Sequence, residues 1–326
     1  MKFILLFTLL ISTNTLSAQT TFIVDDFSDR YFGKVYISQP TEVFSKGWVA
    51  VFDKKTKRQL IKVNSDELTF NLRDGQIVSN IKELPYGEQS SIMYEDYNFD
   101  GKKDLALMDG QNSCYHGPSF QIYLETKTGF TRSPAFTRLA QEFCGMFDID
   151  PTTKKIHTMT KSTCCWHQYS DFIVRNNKPI AVKIVEEGLN QNGLTWDFTE
   201  YNRVGGKLIR RDYSVFDIED QEKNIIFSFE FSNQKKARLV KLGDTLNYIF
   251  TDKENKVELI YSDQFYSSKE ENTVWFMNKK TQYKISMDGI SVSSPKTNLD
   301  MKAEPGTIRG MFSELQNTKF ENVADR

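Results

Sequence analysis

The stretch Asp96-Tyr97-Asn98-Phe99-Asp100-Gly101-Lys102-Lys103-Asp104 decides how this chain is interpreted. It places side-chain oxygens at positions 1, 3, 5 and 9 of a loop and glycine at position 6, which is the spacing of a calcium loop. Gly101 permits the sharp turn that wraps the chain around a hard cation. The predicted ligands are four side chains and, at position 7, one main-chain carbonyl: Asp96, Asn98, Asp100, Asp104 and Lys102. The stretch therefore predicts a Ca²⁺ site.

The residues on either side of this loop favour strands rather than helices. Residues 91–95 and 105–108 are short apolar or alternating runs, and position 12, where an EF-hand needs a bidentate Glu, is Leu107. A loop of this spacing between two strands resembles the calcium loops of integrin-type β-propeller blades. The alternative is a hairpin turn without metal, because Asp, Asn and Gly favour turns in any case.

The composition indicates a β-rich protein and argues against nucleic acid as a partner. Lys and Arg total 42 and Asp and Glu total 43, so no net charge attracts nucleic acid. Aromatic residues make up 13% and only 8 residues are proline, which suits strands. A length of 326 residues allows one large domain or two.

The first 18 residues have the pattern of a signal peptide. Lys2 is followed by an apolar run at residues 3–11, and a small-residue cleavage site ends at Ala18. We expect the mature protein to begin near Gln19, without a lipoprotein anchor, because no Cys follows the signal. No later run is long enough to span a membrane. The predicted location is the periplasm or the exterior of a bacterium.

Hairpin patterns recur along the rest of the chain and predict a propeller-like or sandwich architecture. Residues 136–143 have short helical potential. Charged residues at 217–224 interrupt the pattern and predict a domain boundary. We expect a calcium-loop β domain at residues 19–222, a C-terminal β meander module at 223–303, and a tail at 304–326 with a short helix. The predicted apolar face of that helix consists of Ile308, Met311, Phe312 and Leu315.

The four cysteines are Cys114, Cys144, Cys164 and Cys165. An even number after an export signal favours disulfides. Because adjacent cysteines would form a strained ring, we expect Cys164 and Cys165 each to pair with Cys114 or Cys144. The alternative is a zinc site built from Cys114, His116, Cys164 or Cys165, and His167.

No motif of a known catalytic site is present, so we expect binding rather than catalysis. The chain lacks a Gly-x-Ser-x-Gly elbow, a His-Glu-x-x-His pair and a Walker loop. Carboxylate pairs for glycoside hydrolysis remain open, because their separation in space decides their role. Trp166, between Cys165 and His167, is the candidate for an exposed aromatic contact.

Residues 86–185 resemble a family of bacterial periplasmic proteins. The resemblance rests on the loop at 96–104, the Gly117-Pro118 step into a strand, and Cys164-Cys165-Trp166-His167. The family includes calcium-binding, β-propeller-like immunity proteins that inhibit peptidoglycan-cleaving, lysozyme-like toxins. The resemblance implies the metal ligands named above but no inhibitory residue. This chain departs from the family by its module after residue 224.

The sequence thus predicts a secreted or periplasmic Ca²⁺-binding protein that acts by binding, with a cell-wall hydrolase as the implied partner. The second hypothesis is a surface or carbohydrate-binding β module with a glycan partner. The third is a glycan-active hydrolase.

Overall fold

The computed structural model describes residues 20–325, so the predicted signal peptide at residues 1–18 lies outside the described residues. The chain divides into two compact units. Unit 1 comprises the described parts of Met1–Ser162 and Gln168–Ile184, and unit 2 comprises those of Thr163–His167 and Val185–Arg326. Both are built mainly of antiparallel strands, which confirms the predicted mostly β fold.

Unit 1 begins with two four-stranded sheets. Its first strands are β1 (Thr20–Val24), β2 (Tyr31–Ile37), β3 (Ser45–Asp53), β4 (Gln59–Leu68), β5 (Leu72–Arg73), β6 (Gln76–Ile77), β7 (Ile92–Glu95), β8 (Asp104–Gly110), β9 (Ser119–Thr126) and β10 (Gly129–Arg132). One sheet has the order β1-β2-β3-β4 and the other β10-β9-β8-β7, while β5 and β6 form a small hairpin. The sheets share one apolar core, as in a β sandwich.

The core of unit 1 follows from the alternation of its strands. In β2, Tyr31, Gly33, Val35 and Ile37 are buried, and the residues that alternate with them are half-buried. The predicted short helix is present as α1 (Pro134–Glu142), with proline in its first turn. It buries Phe136 and Leu139 against this core.

The strands that follow α1 are β11 (Asp148–Asp150), β12 (Lys155–Ser162), β13 (Trp166–Arg175) and β14 (Lys178–Leu189). Within unit 1 they run in the order β11-β12-β13-β14. The first two residues of β13 and the last five of β14 belong to unit 2.

Unit 2 contains the remaining elements. Its strands are β15 (Thr195–Val204), β16 (Lys207–Phe216), β17 (Ile225–Glu230), β18 (Lys236–Leu242), β19 (Thr245–Thr251), β20 (Val257–Tyr261), β21 (Phe265–Ser268), β22 (Thr273–Asn278), β23 (Thr281–Ser286), β24 (Gly289–Ser293), β25 (Asn298–Lys302), β26 (Arg309–Gly310) and β27 (Val323–Asp325). β15 and β16 pair as a hairpin. Two larger sheets have the orders β20-β19-β18-β17-β26 and β25-β24-β23-β22-β21-β27, which include the predicted meander.

Alternating phenylalanines form the core of unit 2. Phe227, Phe229 and Phe231 are buried at every second position, as their spacing in the sequence implies. The predicted terminal helix is present as α3 (Phe312–Asn317), which buries Phe312. Its predicted apolar face is too long: Ile308 and Met311 precede the helix and are exposed, because β26 (Arg309–Gly310) occupies the residues between them.

The charged segment at residues 217–224 lies inside unit 2. It contains α2 (Ile218–Gln221) and a 3-10 turn (Glu222–Asn224). Asp217 caps α2 by accepting a bond from the main-chain N–H of Asp220, and Gln221 is buried. Both sides of the predicted boundary at residues 222–223 lie within unit 2, and a change of domain there stays a prediction.

Within residues 20–325, no helix combines the length and the apolar character that crossing a membrane would require.

Candidate functional site

The predicted calcium loop connects β7 and β8, which pair from Ile92↔Leu107 to Glu95↔Asp104. The strands predicted on either side of the loop are therefore present. Gly101 has φ of +88° with open space around its Cα, so glycine is favoured there by its backbone conformation rather than by crowding.

The side chains of the loop turn their oxygens inward. The two carboxylate oxygens of Asp96 accept hydrogen bonds from the main-chain N–H groups of Asp100 (3.0 Å) and Gly101 (2.8 Å). Asn98 Oδ1 accepts from the N–H of Asp100, and Asp100 Oδ1 accepts from the N–H of Lys102. These bonds draw the acceptors at positions 1, 3 and 5 onto the interior of one turn.

Asp104 closes the loop from within the core. It is fully buried, and its two oxygens accept bonds from the N–H groups of Tyr97 (3.0 Å) and Glu125 (2.8 Å). The pKa of Asp104 is raised to about 7, chiefly by burial and also by the charges of Asp100 and Asp96, against the lowering effect of these two hydrogen bonds. A negative charge on Asp104, in addition to those on Asp96 and Asp100, is therefore disfavoured unless a cation compensates for it.

A second hairpin turn supports the loop from the side. The amide of Asn98 donates to Asn177 Oδ1 at 3.2 Å, in the turn between β13 and β14. Asn176 and Asn177 both have positive φ, a conformation that asparagine tolerates well. This contact fixes the amide of Asn98 so that its oxygen faces the loop.

The donor set fits a hard cation in its chemistry. It consists of oxygens alone, and each carboxylate oxygen that accepts one N–H retains a second lone pair for a metal. Among residues 20–325, however, no three His, Cys, Asp or Glu side chains are gathered as they would be around a bound ion. The loop thus has calcium-loop spacing and inward-facing acceptors, and calcium binding itself stays a prediction.

The predicted disulfide pairing is wrong. Cys114 bonds to Cys144, and Cys164 bonds to its neighbour Cys165. Beside the first pair, the N–H of Cys114 donates to the carbonyl of Phe143, so a main-chain bond also joins the two loops. With their partners taken, Cys164 and Cys165 bond to each other across the turn before β13.

The zinc alternative loses its thiolate ligands, since no described cysteine is free. The histidines face carboxylates instead: His116 Nε2 lies 3.1 Å from Glu67, His157 Nδ1 lies 2.8 Å from Asp171, and His167 Nδ1 lies 3.4 Å from Glu187. Trp166 is half-buried beside Glu186 and Gly188 rather than fully exposed. These residues show no cluster of the kind the zinc hypothesis required.

Unit 1 also presents a surface feature that the sequence does not reveal. The Nζ of Lys161 lies 4.2 Å from the centre of the Tyr86 ring and 4.9 Å from that of Tyr115. The two tyrosines are 55% and 60% exposed, which is unusual for rings of this size. We call Tyr86, Tyr115 and Lys161 the tyrosine–lysine patch.

The backbone under this patch is constrained. Tyr115 and His116 both have positive φ (52° and 59°), a conformation that costs energy for residues other than glycine. The Cys114–Cys144 disulfide and the bond from the N–H of Gly117 to the carbonyl of Cys114 hold the turn in place. A strained conformation that presents an exposed ring is typical of a binding surface.

Comparisons with known proteins leave the family open. No family model matches the chain, and no curated protein matches its sequence. Among solved structures, a Xanthomonas type IV secretion system related protein is 15% identical, with a TM-score of 0.46 over 60% of this chain and 94% of that one.

Two further solved structures are more distant. A 6-phosphogluconolactonase candidate from Bacteroides uniformis is 11% identical, with a TM-score of 0.23 over 89% of this chain and 85% of that one. Prolyl oligopeptidase B from Galerina marginata is 7% identical, with a TM-score of 0.25 over 89% of this chain and 41% of that one. At these TM-scores none of the three similarities defines a function for this chain.

Proposed function

We propose that this protein is an exported, calcium-stabilised binding protein that inhibits a peptidoglycan-cleaving hydrolase. The observation that carries the proposal is the tyrosine–lysine patch, an ammonium group between two exposed rings on the unit that bears the calcium loop. The protein acts by occupying its partner rather than by catalysis.

The patch has the chemistry that complements the cleft of such an enzyme. Glycoside hydrolases place two carboxyl groups beside the bond that they cleave. The ammonium of Lys161 offers an opposite charge to that pair, and the faces of Tyr86 and Tyr115 supply amphipathic area of the kind that sugar-binding clefts accept. Exposed tyrosines are also frequent among residues that dominate protein interfaces.

Calcium has a structural role in this proposal. When bound, it would neutralise the carboxylates of Asp96, Asp100 and Asp104 and stabilise the hairpin between β7 and β8. β8 pairs with β9, and the turn that carries Tyr115 connects these two strands. A stable hairpin therefore supports the strands from which the patch projects.

The test is the release of soluble fragments from peptidoglycan by a lysozyme, with and without the full chain. The chain should slow the release. Lys161→Glu should abolish inhibition, because it places a carboxylate against the carboxylates of the enzyme, and Tyr115→Ala should weaken it by at least tenfold, as for a central interface tyrosine.

The matched control is Lys62→Glu. Lys62 is exposed in unit 1 with its Nζ 4.6 Å from the centre of the Trp48 ring, so it repeats the lysine–aromatic contact outside the patch. It should leave inhibition unchanged. Equal loss in Lys62→Glu and Lys161→Glu would contradict the proposal.

The second candidate is a glycan-binding module, favoured by the same exposed rings, since aromatic faces also stack on sugars. A glycan binder would sediment with insoluble peptidoglycan and leave the lysozyme rate unchanged. That result would reject inhibition of a hydrolase and support the glycan-binding function.

A further inference from the structure

Unit 2 contains a buried arginine at the wall of a small cavity. Arg238 is in β18 and is only 3% exposed. The cavity has a volume of about 220 Å³, and its lining includes Arg238, Arg309 and Ser228. A charged side chain is rarely buried to this extent unless it is paired.

The guanidinium of Arg238 is held by neutral groups. Its Nη1 donates to Thr251 Oγ1 at 2.9 Å, and its Nη2 donates to Asn255 Oδ1 at 2.7 Å. Its central carbon lies 4.9 Å from the centre of the Phe216 ring. These contacts fix the orientation of the guanidinium without neutralising its charge.

Arg238 has no carboxylate partner in the described part of unit 2. The ion pairs of the neighbouring lysines, such as Lys236 with Glu230 at 3.4 Å, do not include it. Burial lowers the pKa of Arg238 to about 10, and the charge of Glu230 raises it. A buried cation without a counterion is costly, and an anion in the cavity would reduce that cost.

The register of the sheet adds a second arginine. Ser228 in β17 pairs with Arg238 on one side and with Arg309 in β26 on the other. Paired residues of adjacent strands project from the same face of a sheet with their Cβ atoms about 5 Å apart. The Ser228 hydroxyl therefore lies between two guanidinium-bearing side chains on one face.

Three cationic side chains line the cavity, Lys236, Arg238 and Arg309, against two carboxylates, those of Glu222 and Glu230. Glu230 is paired with Lys236, and Glu222 is exposed on the 3-10 turn. Ile218 and Ile225 contribute apolar side chains to the lining.

We propose that this cavity binds a small oxyanion, a carboxylate or a phosphate group, between Arg238 and Arg309 with Ser228 as a further donor. Guanidinium groups are planar and offer two parallel N–H donors to such anions. The site belongs to unit 2 and does not depend on the proposed inhibition of a hydrolase.

The test is a titration of the full chain with inorganic phosphate, and in a parallel arm with acetate, at constant ionic strength and pH. Binding is followed by the ¹H–¹⁵N signals of the arginine Nε–H groups and by the melting temperature. The Arg238 signal is identified by its loss in Arg238→Lys. We expect a saturable shift of that signal and a rise in melting temperature in at least one arm, and the stronger arm identifies the preferred anion.

Two variants and one control decide the outcome. Arg309→Ala should weaken binding by about tenfold, the usual effect of one charge-assisted hydrogen bond. Arg210→Ala, which removes an exposed arginine already paired with Asp212 at 2.9 Å, should bind like the unchanged chain. Arg238→Lys should remove the stabilisation; if it does not fold, Arg309→Ala still decides. Shifts that do not saturate, or equal binding in Arg309→Ala and Arg210→Ala, would overturn the proposal.

Discussion

The two units of this protein both have apolar cores, and they differ in how their loops are held. In unit 1, the Cys114–Cys144 disulfide holds the turn that carries Tyr115, and the buried Asp104 holds the loop at residues 96–104. In unit 2, the disulfide joins adjacent residues and constrains almost no chain, so the packing of its phenylalanine-rich core acts without such a link. The difference shows that the loops of unit 1, rather than its strands, carry the features that need an explanation beyond packing.

Two acidic turns express the same difference on a smaller scale. In unit 2, Asp252 accepts bonds from the N–H groups of Glu254 (2.8 Å) and Lys256 (2.9 Å), and this single residue organises the turn. In unit 1, the loop at residues 96–104 uses acceptors at every second position and ends in a buried carboxylate. An ordinary Asp turn needs only the first arrangement, so the surplus of carboxylates in unit 1 favours a cation.

The largest effect expected from this comparison concerns the two disulfides. Cys114→Ser with Cys144→Ser opens a link across 30 residues and should lower the free energy of unfolding by about 3 to 4 kcal/mol. Cys164→Ser with Cys165→Ser opens a link across one residue and should cost less than about 1 kcal/mol. Urea unfolding measures both.

Peptide mapping without reduction checks the pairing itself, and thiol titration of the unfolded, unreduced protein should find no free thiol. Equal losses of stability in the two double variants would show that the units do not differ in this respect.

The next effect compares the two acidic turns directly. Asp104→Ala leaves the N–H groups of Tyr97 and Glu125 without their acceptor in the core and should cost about 3 kcal/mol in chelator. Asp252→Ala acts on a half-buried turn and should cost about 1 kcal/mol. Urea midpoints at equal m-values measure the difference, and an Asp104→Ala variant as stable as Asp252→Ala would mean that the buried carboxylate does not organise the loop.

Calcium should act on the unit 1 loop alone. At a concentration of calcium a hundredfold above the dissociation constant, binding adds about 2.7 kcal/mol and raises the melting temperature by several degrees. Asp100→Ala should remove this increment because it removes a ligand. Lys103→Ala should keep it, since the Lys103 ammonium lies 5.7 Å from the centre of the Tyr94 ring and is not among the ligands.

Asp252→Ala should also keep the full calcium increment. A melting curve that calcium leaves unchanged after chelator treatment would reject the metal site.

The sequence predicted those features that depend on residues close together in the chain. The strands on either side of the calcium loop, helix α1 and the meander at residues 273–293 follow from local periodicity and turn residues. The inward-facing acceptors of the loop follow from its nine-residue spacing. Each of these features is set within about twenty residues.

Features set by distant contacts were not predictable in the same way. The pairing of Cys114 with Cys144, like the main-chain bond from Cys114 to Phe143 beside it, joins residues about thirty positions apart, and sequence spacing contains neither contact. The exposure of Tyr115 and the burial of Arg238 depend on which neighbours cover them, and neither residue stands in a distinctive motif.

The smallest expected effect tests whether residues 217–224 belong to unit 2 or form a linker. The carboxylate of Asp217 accepts a bond from Trp196 Nε1 at 2.8 Å, and the amide of Gln221 donates to the carbonyl of Gly193 at 3.1 Å. Asp217→Ala removes the first contact and the cap of α2 and should cost about 1 kcal/mol. Asp220→Ala, at an exposed position of the same helix, is the matched control and should cost less.

Limited proteolysis reports the local consequence. If residues 217–224 are held by unit 2, they should be cut faster in Asp217→Ala than in Asp220→Ala, because cleavage follows the population of locally opened chain. Equal and rapid cutting in both variants and in the unchanged chain, with two stable fragments, would instead support the domain boundary that the charge pattern predicts.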